Sequence, residues 1–125
     1  YVVEKARDYM KNVGVVIFAC GTGNPFFSTD TAAALRAAEL DAKVVLKGTN
    51  VDGVYDKDPR KHPDAVRFDC ITHDEVLARG LGVMDAAATA ICKENDINTI
   101  VFDLTKPENI VSAVKGICIG TIVTK

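Results

Sequence analysis

Val15-Val16-Ile17-Phe18-Ala19-Cys20-Gly21-Thr22-Gly23-Asn24-Pro25-Phe26-Phe27-Ser28-Thr29-Asp30 holds, in order, an unbroken apolar run, a glycine-rich polar loop and the opening of a helix. The apolar run is short and rich in β-branched residues, which favours a strand covered on both faces, as in a parallel sheet. Ser28, Thr29 and Asp30 are residues that open helices, and the alanine-rich segment after them predicts a helix over 30–40. A strand that hands its chain through a glycine loop to a helix is half of a βαβ unit.

The same alternation continues outward. Residues 2–12 read as the end of a helix, which Gly14 stops. Strands are predicted at 43–47, 99–102 and 121–123, with a further short one at 66–71. The Gly/Asp/Pro-rich stretch 48–64 leaves room for a short strand or hairpin. Thr72-His73-Asp74-Glu75 has the form of a capping box and opens a helix through Arg79. Helices follow at 84–95 and 107–114. The expected fold class is α/β, a mainly parallel sheet with helices on both faces. Ligands of such sheets sit at the carboxyl ends of strands, so the loops after Cys20, Lys47 and Phe102 become the candidate site.

Composition narrows the function classes. With 125 residues the chain supports one domain, read as residues 1–125, and its 48% apolar and 26% charged content is ordinary for a globular protein. A net charge of −2 without a Lys/Arg cluster gives no nucleic-acid footprint. No apolar run approaches the roughly 20 residues of a membrane span. The N-terminus lacks the layout of a signal peptide, and a cytoplasmic protein is expected. Cys20, Cys70, Cys92 and Cys118 are widely spaced and, with only His62 and His73 as imidazoles, form no zinc pattern. They are expected to be buried, reduced thiols. No metal-ligating residue is assigned.

Two constellations carry chemistry. In the loop 21–30, glycines let backbone approach a ligand, and Thr22, Asn24, Ser28 and Thr29 bring hydrogen-bonding groups. The helix start after them offers free N–H groups suited to a phosphate. Phe26 and Phe27, adjacent in a polar loop, call for something flat or a partner chain to cover them. Asp30 is either a helix cap or the group that orients what holds a transferred phosphoryl. The second constellation, Lys47-Gly48-Thr49-Asn50-Val51-Asp52-Gly53-Val54-Tyr55-Asp56-Lys57-Asp58-Pro59, again follows a strand. Tyr55 can pack on a purine or ribose, and Asp58 can accept from sugar hydroxyls. A surface hairpin without a ligand explains the same residues.

Over their whole length these stretches resemble bacterial-type UMP kinase (uridylate kinase), a member of the amino-acid kinase superfamily. Gly21–Asp30 resembles its UMP loop, and Val51-Asp52-Gly53-Val54-Tyr55 with Asp58-Pro59 its ATP loop. Leu81-Gly82-Val83-Met84-Asp85, Phe102 through Ile110 and Gly120-Thr121-Ile122-Val123 match in order and spacing. The resemblance implies the amino-acid kinase (carbamate kinase-like) fold, of which this chain would be the C-terminal half, with the N-terminal half missing. It implies UMP binding by Thr22, Gly23, Asn24, Pro25, Phe26, Phe27, Ser28 and Thr29, and ATP binding by Thr49, Tyr55 and Asp58. Asp30 matches the acidic residue that organises the active site, and Asp85 is a weaker candidate. Asn50 stands where the family more often has a lysine. Mg2+, as Mg-ATP, a homo-hexamer, and regulation by GTP and UTP are further implications.

Phosphoryl transfer between two anions needs positioning and positive charge more than a base. Lys47 is a candidate phosphate partner, while the motif loops are otherwise neutral or acidic. The isolated chain is therefore expected to be inactive without its other half. The competing readings are a nucleotide-binding or assembly fragment without turnover, and another kinase of the same superfamily. Paired aromatics have no evident role with an amino-acid substrate, which counts against the last.

Overall fold

A computed structural model describes residues 1–125. The helices are α1 (Val3–Val13), α2 (Thr29–Glu39), α3 (His73–Arg79), α4 (Ala86–Glu94) and α5 (Glu108–Val114). The strands are β1 (Val44–Thr49), β2 (Cys70–Thr72), β3 (Asn98–Asp103) and β4 (Thr121–Thr124). They form one sheet in the order β1-β3-β4-β2. β1 runs parallel to β3 and β2 parallel to β4, whereas β3 and β4 are antiparallel. The sheet is thus mixed, with its two halves meeting at an antiparallel seam.

Helix ends obey local chemistry. The Ser28 side chain accepts from the Thr31 amide and caps α2. Thr72 and Glu75 form the reciprocal capping box of α3, as their spacing predicts. The Asp85 side chain caps α4, so that helix starts at Ala86 rather than at Met84. α1 ends on Gly14, which is left-handed at φ 86°.

Register decides which side chains share a face. Val45, Lys47 and Thr49 pair with Thr99, Val101 and Asp103, and alternate residues of a strand point the same way. Thr99 donates to Cys92 of α4, so this face looks toward the α2–α4 layer. One core cluster there joins Ala34, Ala37, Ala88, Cys92 and Ile97. The small alanines let α2 and α4 approach closely, and burying Ile97 contributes roughly 2–3 kcal/mol. The second cluster, Val54, Ile71, Val76, Val101 and Val123, ties the loop after β1 to the far half of the sheet. Gly120 is obligatory at that seam, because a Cβ there would lie 1.9 Å from the Val101 carbonyl oxygen. No helix is long and apolar enough to cross a membrane.

Two sequence expectations fail. Residues 15–20 are not a paired strand: no backbone hydrogen bond joins them to the rest of the chain, and Ile17 is 89% exposed. Apolar, β-branched content predisposes a segment to pair, but β1 and β2, the outer strands of the sheet, are not hydrogen-bonded to this run. The thiols are all free, yet only Cys92 is buried. Cys20 belongs to the unpaired run, Cys70 lies on edge strand β2 and Cys118 in the coil before β4, so their apolar neighbours do not enclose them.

Candidate active site

The glycine-rich loop is shaped by left-handed backbone at Gly21, Gly23 and also Phe26, whose φ is 69°. Thr22 closes a small turn by accepting from the Asn24 amide at 3.1 Å. Phe26 is fully exposed and Phe27 more than half so. The loop then enters α2 through Ser28, whose hydroxyl donates to Asp85. The Thr31 hydroxyl donates to the same carboxylate at 3.0 and 3.1 Å, and the Ala88 amide at 2.9 Å. Asp85 therefore fastens the start of α2 to the start of α4. Partial burial pulls its carboxyl upward, but the bonds from Ser28, Ala88 and Thr31 outweigh that and hold it below its ordinary value.

Asp30, in the first turn of α2, is not the cap. Its carboxylate takes an ion pair from the Lys47 ammonium, which reaches across from β1. The side chains are 30% and 22% exposed, open enough for a ligand to reach the pair. The loop after Cys20 and the loop after Lys47, separate in sequence, thus meet through one carboxylate and one cation.

Beyond Lys47 a cleft of about 550 Å³ opens, lined by Lys47, Thr49, Tyr55, Asp58, Arg60 and Arg79 among others. Thr49 accepts from the Val51 amide at 2.9 Å and turns the chain off the strand. The Tyr55 hydroxyl donates to Asp52 at 2.7 Å, and Arg67 donates to the other oxygen of Asp52 at 3.0 Å. The bond to Asp52, then burial, raises the Tyr55 hydroxyl above its ordinary pKa, so the ring stays neutral. Asp58 accepts from the Arg60 amide at 2.9 Å, which fixes the loop's outer corner. Gly53 is required beneath it, since a Cβ would meet Thr121 Oγ1 at 2.6 Å.

The structure gathers Thr49, Tyr55 and Asp58 in one cleft, with Asp30 joined to it through Lys47. Thr29 faces a neighbouring hollow with Phe18 and Arg36, while Thr22 and Gly23 line another with Tyr1 and Ile17. The loop after Phe102 touches the end of β1 through the Leu104 amide, which donates to the Thr49 carbonyl oxygen at 2.8 Å, but none of its side chains lines the cleft, and Asp103 accepts from the amide and hydroxyl of Thr105. The cleft is also more basic than the sequence suggests, because Lys57, Arg60 and Arg79 join Lys47 around it. Arg79 comes from the end of α3, a helix that the capping box made legible but to which the sequence assigned no part in the site. No three acidic, His or Cys side chains gather as a metal site.

Comparison with known proteins bears on this geometry. Residues 1–103 match the profile of the Amino acid kinase family. Over 123 residues the chain is 52% identical to the chloroplastic uridylate kinase PUMPKIN of Arabidopsis thaliana, covering 98% of this chain and 36% of that protein. It superposes on the crystal structure of UMP kinase from Ureaplasma parvum with a TM-score of 0.93 at 43% identity, covering all of this chain and 54% of that one. The crystal structure of UMP kinase from Bacillus anthracis gives 0.95 at 28% identity, over 99% of this chain and 51% of that one. The chain thus spans about a third to a half of the length of the relatives it matches.

Proposed function

We propose, because this chain belongs to the amino acid kinase family, that it forms the nucleotide-binding C-terminal half of a kinase moving the γ-phosphoryl of ATP to UMP. The observation that carries this reading is the Asp30–Lys47 ion pair, which joins the acceptor loop to the mouth of the donor cleft. An oxygen of the UMP phosphate forms the new bond to the γ-phosphorus as the bond to the β–γ bridging oxygen breaks, giving UDP and ADP. The acceptor is already ionised, so no general base is required; positive charge and alignment are. Lys47 supplies that charge where donor and acceptor meet, and Asp30 holds its ammonium in place. The first-turn amides of α2 that Ser28 leaves free suit the UMP phosphate, and Phe26 with Phe27 suits the uracil ring.

On the donor side, Tyr55 lies against the adenosine and Asp58 accepts from ribose hydroxyls. Mg2+ arrives as Mg-ATP, taking most of its ligands from phosphate oxygens and water. A homo-hexamer regulated by GTP and UTP, and a cytoplasmic location, follow from the resemblance to bacterial-type enzymes. The test is ADP release by the full-length protein with UMP, CMP and AMP. Turnover selective for UMP supports the reading, and equal turnover of AMP, or none with any acceptor, refutes it.

The unpaired, exposed run 15–20 favours a second reading for the 125-residue chain by itself, that of a nucleotide-binding module without turnover. Calorimetric ATP binding by the isolated chain, with no ADP release, would distinguish it from an active kinase.

A further inference from the structure

The cations around the donor cleft are not equivalent. Lys47 is paired with Asp30, and Lys57 with Asp64 at 2.6 Å. Arg79 is held loosely: it ion-pairs with Glu75 at 3.7 Å, and its guanidinium makes no hydrogen bond, while Arg60 engages Asp58 only through its backbone amide and has no aromatic support. Arg79 is nevertheless placed, with its guanidinium carbon 5.4 Å from the centre of the Phe68 ring. The backbone behind it is equally defined, since α3 ends on Gly80 in left-handed conformation at φ 61°. From there the chain runs through Leu81, Gly82 and Val83, all lining the cleft, into Asp85, which binds Ser28 and Thr31 of the acceptor helix. Arg79 therefore stands on the cleft wall that leads to the acceptor side. Asp58, Pro59 and Arg60 belong to the loop that forms another part of the lining.

We propose that Arg79 is a donor-binding residue whose guanidinium contacts the polyphosphate of the nucleoside triphosphate. The proposal rests on reading this cleft as the donor site. Its chemistry follows from charge: Mg-ATP keeps a net negative charge along its phosphates, and a planar fork whose N–H donors make no hydrogen bond in the free protein can bind two phosphate oxygens together. Lys47 serves the phosphoryl being transferred, whereas Arg79 holds the chain of phosphates that departs with ADP. ADP and ATP should both use it, and AMP should not.

The test uses full-length protein and the variants Arg79→Gln, Arg79→Lys and Arg60→Gln, with calorimetric binding of Mg-ATP, Mg-ADP and AMP beside steady-state kinetics. Loss of a charge-assisted contact predicts that Arg79→Gln weakens ATP and ADP binding roughly tenfold or more, with AMP binding and the KM for UMP changed less than about twofold. Arg79→Lys should recover part of the loss, and the salt dependence of ATP binding should be shallower in Arg79→Gln than in wild type. Unchanged ATP and ADP binding in Arg79→Gln, or an equal loss for AMP, overturns the proposal, as does a loss confined to Arg60→Gln. Wild-type protein that binds no ATP at all would instead remove the reading of the cleft on which the proposal stands.

Discussion

Asp85→Ala removes in one step the cap of α4 and the fastening of α4 to α2. The carboxylate accepts from the Ala88 amide at 2.9 Å and from the Thr31 hydroxyl at 3.0 and 3.1 Å, with Ser28 as a further donor. Losing an N-cap acceptor costs about 1 kcal/mol. Thr31 is only 3% exposed, so water does not readily replace its lost acceptor. That adds about 1–2 kcal/mol, while exposed Ser28 finds water and adds little. Together these predict a loss of about 2–3 kcal/mol for Asp85→Ala. Asp85→Asn keeps a good cap and one oxygen, and should lose only about 1 kcal/mol. Urea unfolding at pH 7 with an unchanged m-value is the assay. An Ala variant within about 0.5 kcal/mol of wild type, or an Asn variant as damaged as Ala, would refute the reasoning.

The same measurement has a pH arm. The Asp85 carboxyl is held below its ordinary value of 3.8. A carboxylate depressed in the folded state stabilises fully above its unfolded pKa, and that stability is lost as pH falls through the lower folded value. The difference between wild type and Asp85→Asn should therefore be complete at neutral pH and close progressively on acidification past 3.8.

Lys47→Met leaves Asp30 without its cation and should lower kcat by about 10²–10³. Because the pair is partly solvated, its effect on stability should stay under about 1 kcal/mol, separable by comparing turnover with urea midpoints. Gly120→Ala forces a Cβ against the Val101 carbonyl oxygen, and should destabilise by about 3 kcal/mol or more, read as a fall in Tm. His73 is 2% exposed, bonds the Ile97 carbonyl oxygen through Nε2 at 3.1 Å and leaves Nδ1 without a partner. Burial lowers its pKa below 6.5, against the smaller opposing pull of the Ile97 bond and Asp74. The unfolded chain then takes up the proton first, so stability is highest above 6.5 and falls as pH drops toward the folded value. Urea midpoints from pH 8 to 5 should show that fall, and His73→Gln should flatten it.

Much of the layout was legible because it is written in local chemistry. The Thr72–Glu75 capping box, the Ser28-Thr29-Asp30 helix start and the β-branched runs at 44–49 and 98–103 each specify their element without help from afar. Partnership was not legible. Nothing local reveals that the run 15–20 finds no strand, that β3 meets β4 antiparallel, or that Cys20 and Cys118 stay open to solvent. The site divides the same way. Thr49 ends β1, and Tyr55 and Asp58 lie in the stretch that follows it; the turn residues made a loop readable there and the family resemblance singled out these three, whereas Arg79 reaches the cleft only because α3 packs beside that loop. The Asp30–Lys47 pair spans 17 residues and depends on α2 lying over β1, a tertiary fact.

Phe26 holds a left-handed backbone with its ring wholly in solvent, a geometry that costs roughly 1 kcal/mol in a residue other than glycine. Its side chain gives the folded protein no packing in return. With Phe26 against the uracil ring, as the proposed function has it, heat resistance and substrate recognition pull on this one position in opposite directions. A library screened for melting temperature alone should drift toward glycine or asparagine at 26, and one screened for growth that depends on the proposed kinase activity should keep the aromatic ring.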